Sequence, residues 1–257
     1  MKLQGACAIV TGGADGIGKA LVEYFVSKGT KVVFGDISTE KGQEISKRLN
    51  QNGKWAVFCV CDVRKESELI NLFDVAKREF GGAQILVNNA GIGPIENFTT
   101  STGVIDAIVD INLTAVLKAT SLAIQHFQMQ RIENPDKDFC VVNISSLSAL
   151  LPLGDAPVYS STKKAVMYFS QSLRYLGKQH IRINSVLPYF AKTGMVAVHS
   201  ESPVLSKLIA EKGGYVPISK VVEAVSTLIE DAKMTGDSIS VTPKGNQVLP
   251  RLKASVL

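Results

Sequence analysis

Short apolar segments alternate along the chain with longer segments that repeat apolar residues at helical spacing. In segment 65–80, for example, Leu69, Leu72 and Phe73 fall on one face of a helix. Strands that are apolar almost throughout and alternate with helices are typical of a parallel sheet covered on both faces. We therefore predict an α/β doubly wound Rossmann fold, with a seven-stranded parallel sheet and helices on both faces. The predicted strands are 6–11, 31–36, 55–60, 84–87, 138–144, 181–186 and 238–241, and the predicted helices are 17–28, 39–52, 65–80, 103–130, 158–178 and 221–231.

The spacing of these elements also predicts the domain organisation. No break between them has the composition of a linker, so residues 1–257 are predicted to form a single domain. The least regular part, 193–218, follows the sixth strand and is interrupted by Gly, Pro and Ser. A segment of this kind above the carboxyl edge of a sheet predicts a lid over the substrate site.

Composition excludes several classes of partner. The formal charge is +5 and basic residues are interleaved with acidic ones, so no nucleic-acid partner is predicted. We identify no apolar stretch close to the ~20 residues that span a bilayer, and no secretory leader, so we predict a cytoplasmic protein without a membrane partner. The cysteines lie in apolar strands, which indicates a reducing compartment. Neither these cysteines nor the three histidines have a metal-ligand spacing, so no metal site is predicted.

A glycine-rich turn at 11–18 joins the first strand to the first helix. Its sequence is Thr-Gly-Gly-Ala-Asp-Gly-Ile-Gly. Glycines let the backbone approach a pyrophosphate, and the N-terminus of the following helix presents free N–H groups and a positive dipole end to it. Because the turn lies between a strand and a helix, it predicts a dinucleotide site. The candidate contacts here are Gly12, Asp15, Gly16, Ile17 and Gly18.

Asp36 ends the second strand, twenty residues after Gly16. A carboxylate at this place can accept hydrogen bonds from the adenosine ribose and would repel a 2′-phosphate. No Arg or Lys stands at the strand end to bind such a phosphate. We therefore predict NAD as the cofactor, with a helix-capping or turn role of Asp36 as the alternative.

Four polar residues predict the chemistry. Tyr159 and Lys163 are four residues apart and share one face of a helix, Ser146 follows the fifth strand, and Asn112 lies in the preceding helix. Oxidation of an alcohol needs a base for the hydroxyl proton, and a free tyrosine with a pKa near ~10 is too weakly ionised at neutral pH. A nearby ammonium group would lower that pKa. A serine hydroxyl can hold the substrate oxygen, and an asparagine can anchor a water that relays the proton.

Together these motifs resemble the short-chain dehydrogenase/reductase family, over essentially the whole chain. The resemblance implies that Tyr159 is the acid/base, that Ser146 orients the substrate oxygen, and that Lys163 binds the nicotinamide ribose and tunes Tyr159. Asn112 would support the proton relay. It also implies cofactor contacts by Tyr159 and by Ile37, Asp62, Val63, Asn89, Ala90, Gly91, Lys163, Pro188 and Thr193. Taken alone, Asp62 could equally cap the next helix, and 88–91 is a good turn sequence.

Three stretches, 143–147, 157–159 and 228–231 with Thr235 and Gly236 after it, most resemble the 15-hydroxyprostaglandin dehydrogenase branch of the family. Two departures stand against this likeness. Tyr189 follows Pro188 where the family usually has Gly, and would be strained if that glycine has positive φ. Asp155 and Ala156 stand where prostaglandin enzymes carry glutamines, so a prostaglandin substrate is doubtful. We expect an apolar, lipid- or terpenoid-like secondary alcohol or ketone. The predicted substrate contacts are Ser146, Leu147, Ala156, Tyr159, Tyr189 and Phe190.

Two other functions stay open at this point. One is a catalytically idle relative that binds NAD as a sensor or scaffold, for which Tyr189 is the support. The other is an NADP-dependent carbonyl reductase, which Asp36 opposes. By resemblance, a homodimer or homotetramer is expected, paired through the helices predicted at 103–130 and 158–178.

Overall fold

The computed structural model describes residues 1–93, 102–191, 209 and 213–251. The strands are β1 Cys7–Thr11, β2 Lys31–Asp36, β3 Ala56–Val60, β4 Ile85–Asn88, β5 Phe139–Ile144, β6 Ile181–Pro188, β7 Ser238–Thr242 and β8 Gly245–Val248. The helices are α1 Gly16–Ser27, α2 Thr39–Leu49, α3 Glu66–Phe80, α4 Gly103–Val109, α5 Ala115–Glu133, α6 Pro157–Ser172 and α7 Ile218–Glu230. Most of the predicted lid, including Thr193, lies outside the described residues.

The strands form one sheet in the order β3-β2-β1-β4-β5-β6-β7-β8. Strands β1 to β7 are parallel, which confirms the predicted α/β fold, and β8 adds an antiparallel edge to β7. The sheet therefore has eight strands rather than seven. The sequence does not signal β8, because it contains one apolar residue, Val248, and is largely exposed. The strand order reverses between β1 and β4, and open sheets of this kind bind ligands at the carboxyl ends of the strands there.

Helices cover both faces of the sheet, as predicted. On one face, α1 and α7 bury residues such as Phe25 and Leu228 against the strands. On the other face, α3 and α5 bury residues such as Leu72 and Phe127. Both layers hold the carboxyl ends of β1, β4, β5 and β6 in fixed positions, so functional side chains at this edge stand on a rigid support.

The long helix predicted at 103–130 is interrupted. After α4, residues Asp110–Thr114 form one turn of π-helix before α5 begins. The inserted residue of a π-turn shifts the side chains that follow it, and such turns are frequent at functional sites. The turn contains Asn112, which is fully buried.

The same stretch qualifies our expectation about membrane spans. Of the described residues, Gly103–Glu133 is one helical stretch that is long and apolar enough to cross a bilayer by length and composition. Our expectation that no stretch reaches this size was therefore wrong. In the fold, Ala115, Ala119, Ala123 and Phe127 of this stretch pack into the core beneath the sheet, which accounts for its apolar composition.

All four cysteines are buried free thiols. Burial raises the pKa of Cys7 and of Cys61 to about 12, so both are protonated at neutral pH. Cys59 and Cys61 are core residues of the same apolar cluster. Within the described ranges, no group of three or more His, Cys, Asp or Glu side chains could hold a metal ion.

His126 makes the stability of the fold depend on pH. Its ring packs against Phe73, with 5.4 Å between ring centres, and its Nε2 atom has no hydrogen-bond partner among the described residues. Burial, with smaller contributions from Lys77 and Lys137, lowers the pKa of His126, and Asp74 opposes them slightly. Because the folded-state pKa is below the unfolded value of ~6.5, the unfolded chain binds the proton first, and stability falls as pH drops below that value.

We therefore expect the urea concentration at the unfolding midpoint to decrease as the pH is lowered from about 7.5 to about 5.5. His126→Phe should reduce this decrease. His180→Asn is the control, because His180 is exposed and Asn tolerates its positive φ of 56°. An unchanged pH dependence in His126→Phe would show that other groups cause it.

Candidate active site

The glycine turn between β1 and α1 is shaped by close backbone contacts. Gly12 has a φ of 65°, and a Cβ there would lie 2.8 Å from the Cα of Ala90. A Cβ on Gly18 would collide with the carbonyl oxygen of Gly12. No side chain fits at either position, so the backbone forms a cradle at the N-terminus of α1. This cradle fits the pyrophosphate of a dinucleotide.

Asp15 lies at the rim of this cradle. Its carboxylate caps α1 by accepting from the backbone N–H of Gly16 at 2.7 Å, and it pairs with the ammonium of Lys41 at 2.6 Å. The Lys41 hydrogen bond lowers the pKa of Asp15, with the Gly16 bond contributing in the same direction. Asp15 is therefore ionised, and its charge at the helix N-terminus is balanced by Lys41.

Asp36 faces the same turn from the end of β2. One carboxylate oxygen accepts from the N–H of Ala14 and the other from the N–H of Ser38, each at 2.9 Å. Each oxygen keeps a second lone pair for another donor, so the carboxylate can hold the turn and accept a ribose hydroxyl. The nearby negative charge of Asp36 contributes to raising the pKa of Lys41. Lys41, which lies in α2 and not at the end of β2, is therefore close to the predicted ribose position at Asp36.

Three further predicted cofactor contacts, Ile37, Asp62 and Val63, differ in their exposure and in their hydrogen bonds. Ile37 is 72% exposed and Val63 is 8% exposed, so Ile37 offers an open apolar surface. The carboxylate of Asp62 is held by Arg64, with Nη2 at 2.6 Å from Oδ2, and this bond is the main cause of its lowered pKa. An adenine amino group at Asp62 would share the carboxylate with Arg64.

The end of β4 is tied to the end of β1. The side-chain amide of Asn89 donates to the carbonyl oxygens of Thr11 and Gly12 at 3.0 Å each, and the Thr11 hydroxyl accepts from the N–H of Asn89 and of Ala90. Asn89 therefore fixes the cradle rather than leaving its amide free.

Asn112 lies beside Gly91 and Lys163. A Cβ built on Gly91 would lie 3.1 Å from Oδ1 of Asn112 and 3.5 Å from Nζ of Lys163. Oδ1 of Asn112 accepts from the N–H of Ile92, and its Nδ2 donates to the Ile92 carbonyl, each at 2.9 Å. Each amide atom can make one further hydrogen bond, so Asn112 can hold the turn after β4 and also anchor a water.

Tyr159 and Ser146 are brought together by α6 and the segment after β5. Pro157 starts α6 at a position where its missing N–H costs nothing, and Tyr159 follows in the first turn. The side chain of Ser146 lies near enough to Tyr159 to lower the pKa of its hydroxyl. Oγ of Ser146 also accepts from the N–H of Ser148 at 3.2 Å, which fixes the serine rotamer.

Hydrogen bonds hold Lys163 both at its side-chain ammonium and at its backbone carbonyl. Its Nζ donates to the carbonyl of Ile144 at 3.1 Å, and its own carbonyl accepts from the hydroxyl of Ser145 at 2.7 Å. The Nζ atom lies 5.7 Å from the centre of the Tyr159 ring. Burial lowers the pKa of Lys163 to about 8.

The pKa of Tyr159 corrects an expectation from the sequence. We expected the Lys163 ammonium to lower it, but burial raises it above 10, and the Ser146 hydrogen bond offsets this only in part. The reason is that the tyrosine is desolvated, and this effect outweighs those that lower the pKa. In the protein alone, Tyr159 is therefore a protonated phenol at neutral pH.

The segment after β6 places an aromatic pair at the same edge of the sheet. The rings of Tyr189 and Phe190 meet edge to face, 4.8 Å apart, after the buried Pro188. Strain at Tyr189 is not found: among the described residues, His180 is the only non-glycine residue with positive φ. The other predicted substrate contacts, Leu147 and Ala156, are half-buried and buried respectively.

Several contributors were not identified from the sequence. Ser145 holds the backbone of Lys163, Ile144 binds its ammonium, and Lys41 lies near Asp15 and Asp36. The doubled serine at 145–146 was a usable signal, because one serine could act on substrate while the other supports the site. Lys41 gave no such signal, since it looks like any exposed residue of α2.

The chain is similar to known proteins over most of its length. A family described as short chain dehydrogenase matches residues 6–203. The 15-hydroxyprostaglandin dehydrogenase [NAD(+)] of Bos taurus is 29% identical over 94% of this chain and 92% of its own length. (+)-Borneol dehydrogenase 2 of Salvia officinalis is 33% identical over 77% of this chain and 69% of its length. These matches confirm the resemblance identified from the motifs.

A solved structure is similar over nearly the whole fold. The 3-ketoacyl-(acyl-carrier-protein) reductase from Brucella melitensis, complexed with NADH, superposes with a TM-score of 0.84 at 25% identity. The match covers 94% of this chain and 98% of the reductase. The arrangement of strands and helices is therefore that of a known oxidoreductase fold.

Proposed function

The chain belongs to the short-chain dehydrogenase family of oxidoreductases, and we propose that it transfers a hydride between NAD and a secondary alcohol or the corresponding ketone. The observation that carries this proposal is the closeness of three side chains: Ser146 interacts with Tyr159, and the buried ammonium of Lys163 lies 5.7 Å from the centre of the Tyr159 ring. A proton donor, a second hydroxyl for the same oxygen and a fixed cation are what carbonyl reduction requires of a protein.

We assign the proton transfer to the Tyr159 hydroxyl. In the direction of reduction, the phenol donates its proton to the carbonyl oxygen while the Ser146 hydroxyl donates a hydrogen bond to the same oxygen. In the direction of oxidation, Tyr159 must first lose its proton, so its raised pKa favours the acid role at neutral pH. The nicotinamide cofactor, when bound, supplies or accepts the hydride.

Lys163 and Asn112 are proposed to supply the path by which Tyr159 regains its proton. Lys163 keeps two further N–H donors besides the one bonded to Ile144. We propose that one of these binds the nicotinamide ribose and that the other reaches a water held by Asn112. Protons would then reach Tyr159 from the interior side of the site, while substrate enters from the open edge of the sheet.

NAD is the proposed cofactor because of the carboxylate at the end of β2. The cradle at Gly12 and Gly18, the apolar surface of Ile37 and the free lone pairs of Asp36 suit an adenine dinucleotide with an unmodified ribose. Relatives support this choice, since the bovine dehydrogenase is named for NAD(+) and the Brucella reductase was solved with NADH. The alternative, an NADP-dependent carbonyl reductase, is favoured by Lys41, whose ammonium could pair with a 2′-phosphate if it left Asp15.

A binding experiment separates the two cofactors. We expect NADH to bind more tightly than NADPH in a nicotinamide fluorescence titration, and Asp36→Asn to tighten NADPH binding about tenfold by removing the charge that repels a 2′-phosphate. Asp74→Asn, which removes an exposed acid on α3, is the matched control for net charge. A wild-type preference for NADPH would reject the NAD assignment and support the reductase.

The substrate is proposed to be an apolar, lipid- or terpenoid-like alcohol or ketone. Tyr189 and Phe190 form an aromatic pair beside the site, and Leu147 follows Ser146 directly. Ala156 offers no hydrogen bond to a second substrate hydroxyl, which argues against a prostaglandin. A panel containing (+)-borneol, steroid alcohols and a 15-hydroxyprostaglandin tests the class, and turnover confined to the prostaglandin would reject it.

A catalytically idle NAD-binding protein is the less favoured alternative. Its support was the possibility that Tyr189 strains the loop, and the backbone of Tyr189 is unstrained. Its N–H donates to the Val241 carbonyl at 2.8 Å, as a regular extension of β6. We further propose a cytoplasmic homodimer or homotetramer, with α5 and α6 as the pairing helices.

A further inference from the structure

Four polar side chains form a row across the middle of the sheet. Asn88 of β4 is in register with Asn143 of β5, Asn143 with Ser185 of β6, and Ser185 with Ser238 of β7. All four are at most 2% exposed. Their side chains contact residues of α5 and α6 rather than α7, so the row lies between the sheet and the two helices that carry the candidate active site.

Hydrogen bonds link this row to both helices in an unbroken sequence. Nδ2 of Asn88 donates to the Thr120 hydroxyl of α5 at 3.0 Å and to Oδ1 of Asn143 at 2.8 Å. Nδ2 of Asn143 donates to the hydroxyl of Ser170 in α6 at 2.9 Å, and that hydroxyl donates to the Val166 carbonyl at 2.8 Å. We call these four side chains, Thr120, Asn88, Asn143 and Ser170, the asparagine bridge.

The asparagine bridge is specific because its members are buried. An amide taken out of water is tolerated only where hydrogen bonds replace those it made to water, and leaving one unpaired costs free energy. A small shift of α6 along the sheet would break the bond between Asn143 and Ser170. Apolar contacts alone would allow such a shift more readily, since they are not directional.

The bridge connects the two halves of the candidate active site. Thr120 lies about two helical turns beyond Asn112, and Ser170 lies two turns beyond Lys163, on the helix that also carries Tyr159. On β5, Asn143 is followed by Ile144 and Ser145, which hold the two ends of Lys163. Three successive residues, the last two of β5 and the one that follows it, therefore make polar contacts that fix α6.

We propose that Asn143 is a positioning residue, which through Ser170 and Asn88 sets the place of Tyr159 and Lys163 on α6 relative to Ser146 and Asn112. This inference rests on the proposed function, since it concerns the geometry of proton transfer. A displacement of reacting groups by about 1 Å can cost about 100-fold in rate. The bridge affects cofactor binding only through the proposed contact of Lys163 to the nicotinamide ribose, and not at the cradle of β1 and α1.

The adjacent strand offers a matched control. Asn184 of β6 is as deeply buried as Asn143, but its side chain contacts the Met234 carbonyl and the N–H of Asp237 near the end of α7. Replacing it removes the same number of amide atoms from the same sheet without touching α5 or α6. A purely structural role predicts the same behaviour for both asparagines.

The experiment compares Asn143→Leu, Ser170→Ala and Asn184→Leu below their melting temperatures. With the best substrate of the alcohol panel, we expect Asn143→Leu to lower kcat about 10- to 100-fold and Ser170→Ala to lower it less. KM for the cofactor should change much less than kcat, because only the ribose contact of Lys163 depends on α6. Asn184→Leu should melt earlier than wild type and keep its kcat. The Ser170 variant tests the same bond if Asn143→Leu does not fold.

Amide hydrogen exchange tests the inference without turnover. We expect faster exchange over the first two turns of α6 in Asn143→Leu, and near Asp237 in Asn184→Leu. Unchanged exchange in α6, or an equal loss of kcat in Asn184→Leu, would reject the positioning role. If wild type turns over no alcohol or ketone, the proposed function fails, while the exchange result still decides whether Asn143 holds α6.

Discussion

Replacing Tyr159 by phenylalanine is expected to lower kcat about 1000-fold, because the variant has no hydroxyl to exchange a proton with the substrate oxygen. The ring remains, so its packing against the Lys163 side chain is retained. The Ser146 hydroxyl still reaches the substrate oxygen and accounts for residual activity. Stopped-flow or steady-state measurement of NADH absorbance, in both reaction directions, gives the loss.

A control on the same helix separates chemistry from packing. Tyr168 also lies in α6 but is 55% exposed, so Tyr168→Phe removes a hydroxyl outside the site and should leave kcat unchanged. NADH affinity should be nearly the same in both variants. Turnover by Tyr159→Phe within about tenfold of wild type would assign the proton transfer to another group.

The pH dependence of wild type follows from the direction of the Tyr159 shift. Burial raises the pKa of this phenol, so oxidation of an alcohol should become faster as pH rises through the alkaline range. Reduction of the ketone, which uses the protonated phenol, should not. In Tyr159→Phe the alkaline rise in oxidation should disappear, because the titrating group is gone.

Replacing Arg182 by methionine is expected to give a large loss of stability, about 3 kcal/mol, or roughly 10 °C in Tm. Arg182 is 3% exposed on β6, and its guanidinium caps the end of α7. Nη1 donates to the carbonyls of Leu228 and Asp231, and Nη2 donates to the carbonyl of Ile229 at 2.6 Å. The last carbonyls of a helix have no partner within the helix, so removing the guanidinium takes away their buried charged donor. Weaker donors remain for each of them: the terminal ammonium of Met1 for Ile229, the N–H of Met234 for Asp231 and the thiol of Cys140 for Leu228.

Thermal melting with Arg131→Met as the control tests this cap. Nε and Nη2 of Arg131 each make a long, exposed contact to the Pro135 carbonyl, at 3.3 Å. Their loss should change stability by less than about 0.5 kcal/mol. If Arg182→Met melts as wild type does, water or a rearranged helix end must satisfy those carbonyls. Cofactor affinity below Tm should be unaffected, because Arg182 lies at the start of β6, at the opposite end of the parallel strands from the cradle.

Much of the fold could be predicted because its strands are buried on both faces. The seven apolar segments correspond to the seven parallel strands. β8 was not predicted, because an exposed edge strand needs no apolar pattern. The π-turn around Asn112 was not predicted either. Its residues have ordinary helical propensity, and the interruption arises from how Asn112 packs and bonds to Ile92.

The candidate site could be predicted as a set of residues but not as a set of energies. Tyr159, Ser146, Lys163 and Asn112 have a recognisable order and spacing. The pKa of Tyr159 depends on burial and on where the ammonium lies, and neither can be obtained from spacing. Lys41 approaches Asp15 only because α2 packs beside the glycine turn, and such a contact between elements has no local signal.

The burial of every native thiol makes the chain suitable for site-specific labelling. A maleimide or iodoacetamide dye reacts with accessible thiolate, and Cys7, Cys59, Cys61 and Cys140 are buried with raised pKa values. A single cysteine at the exposed position of Ile37 would therefore take up the dye without prior removal of the native ones. A fluorophore at that position would stand beside the proposed dinucleotide site and should report dinucleotide binding in real time, independently of any substrate.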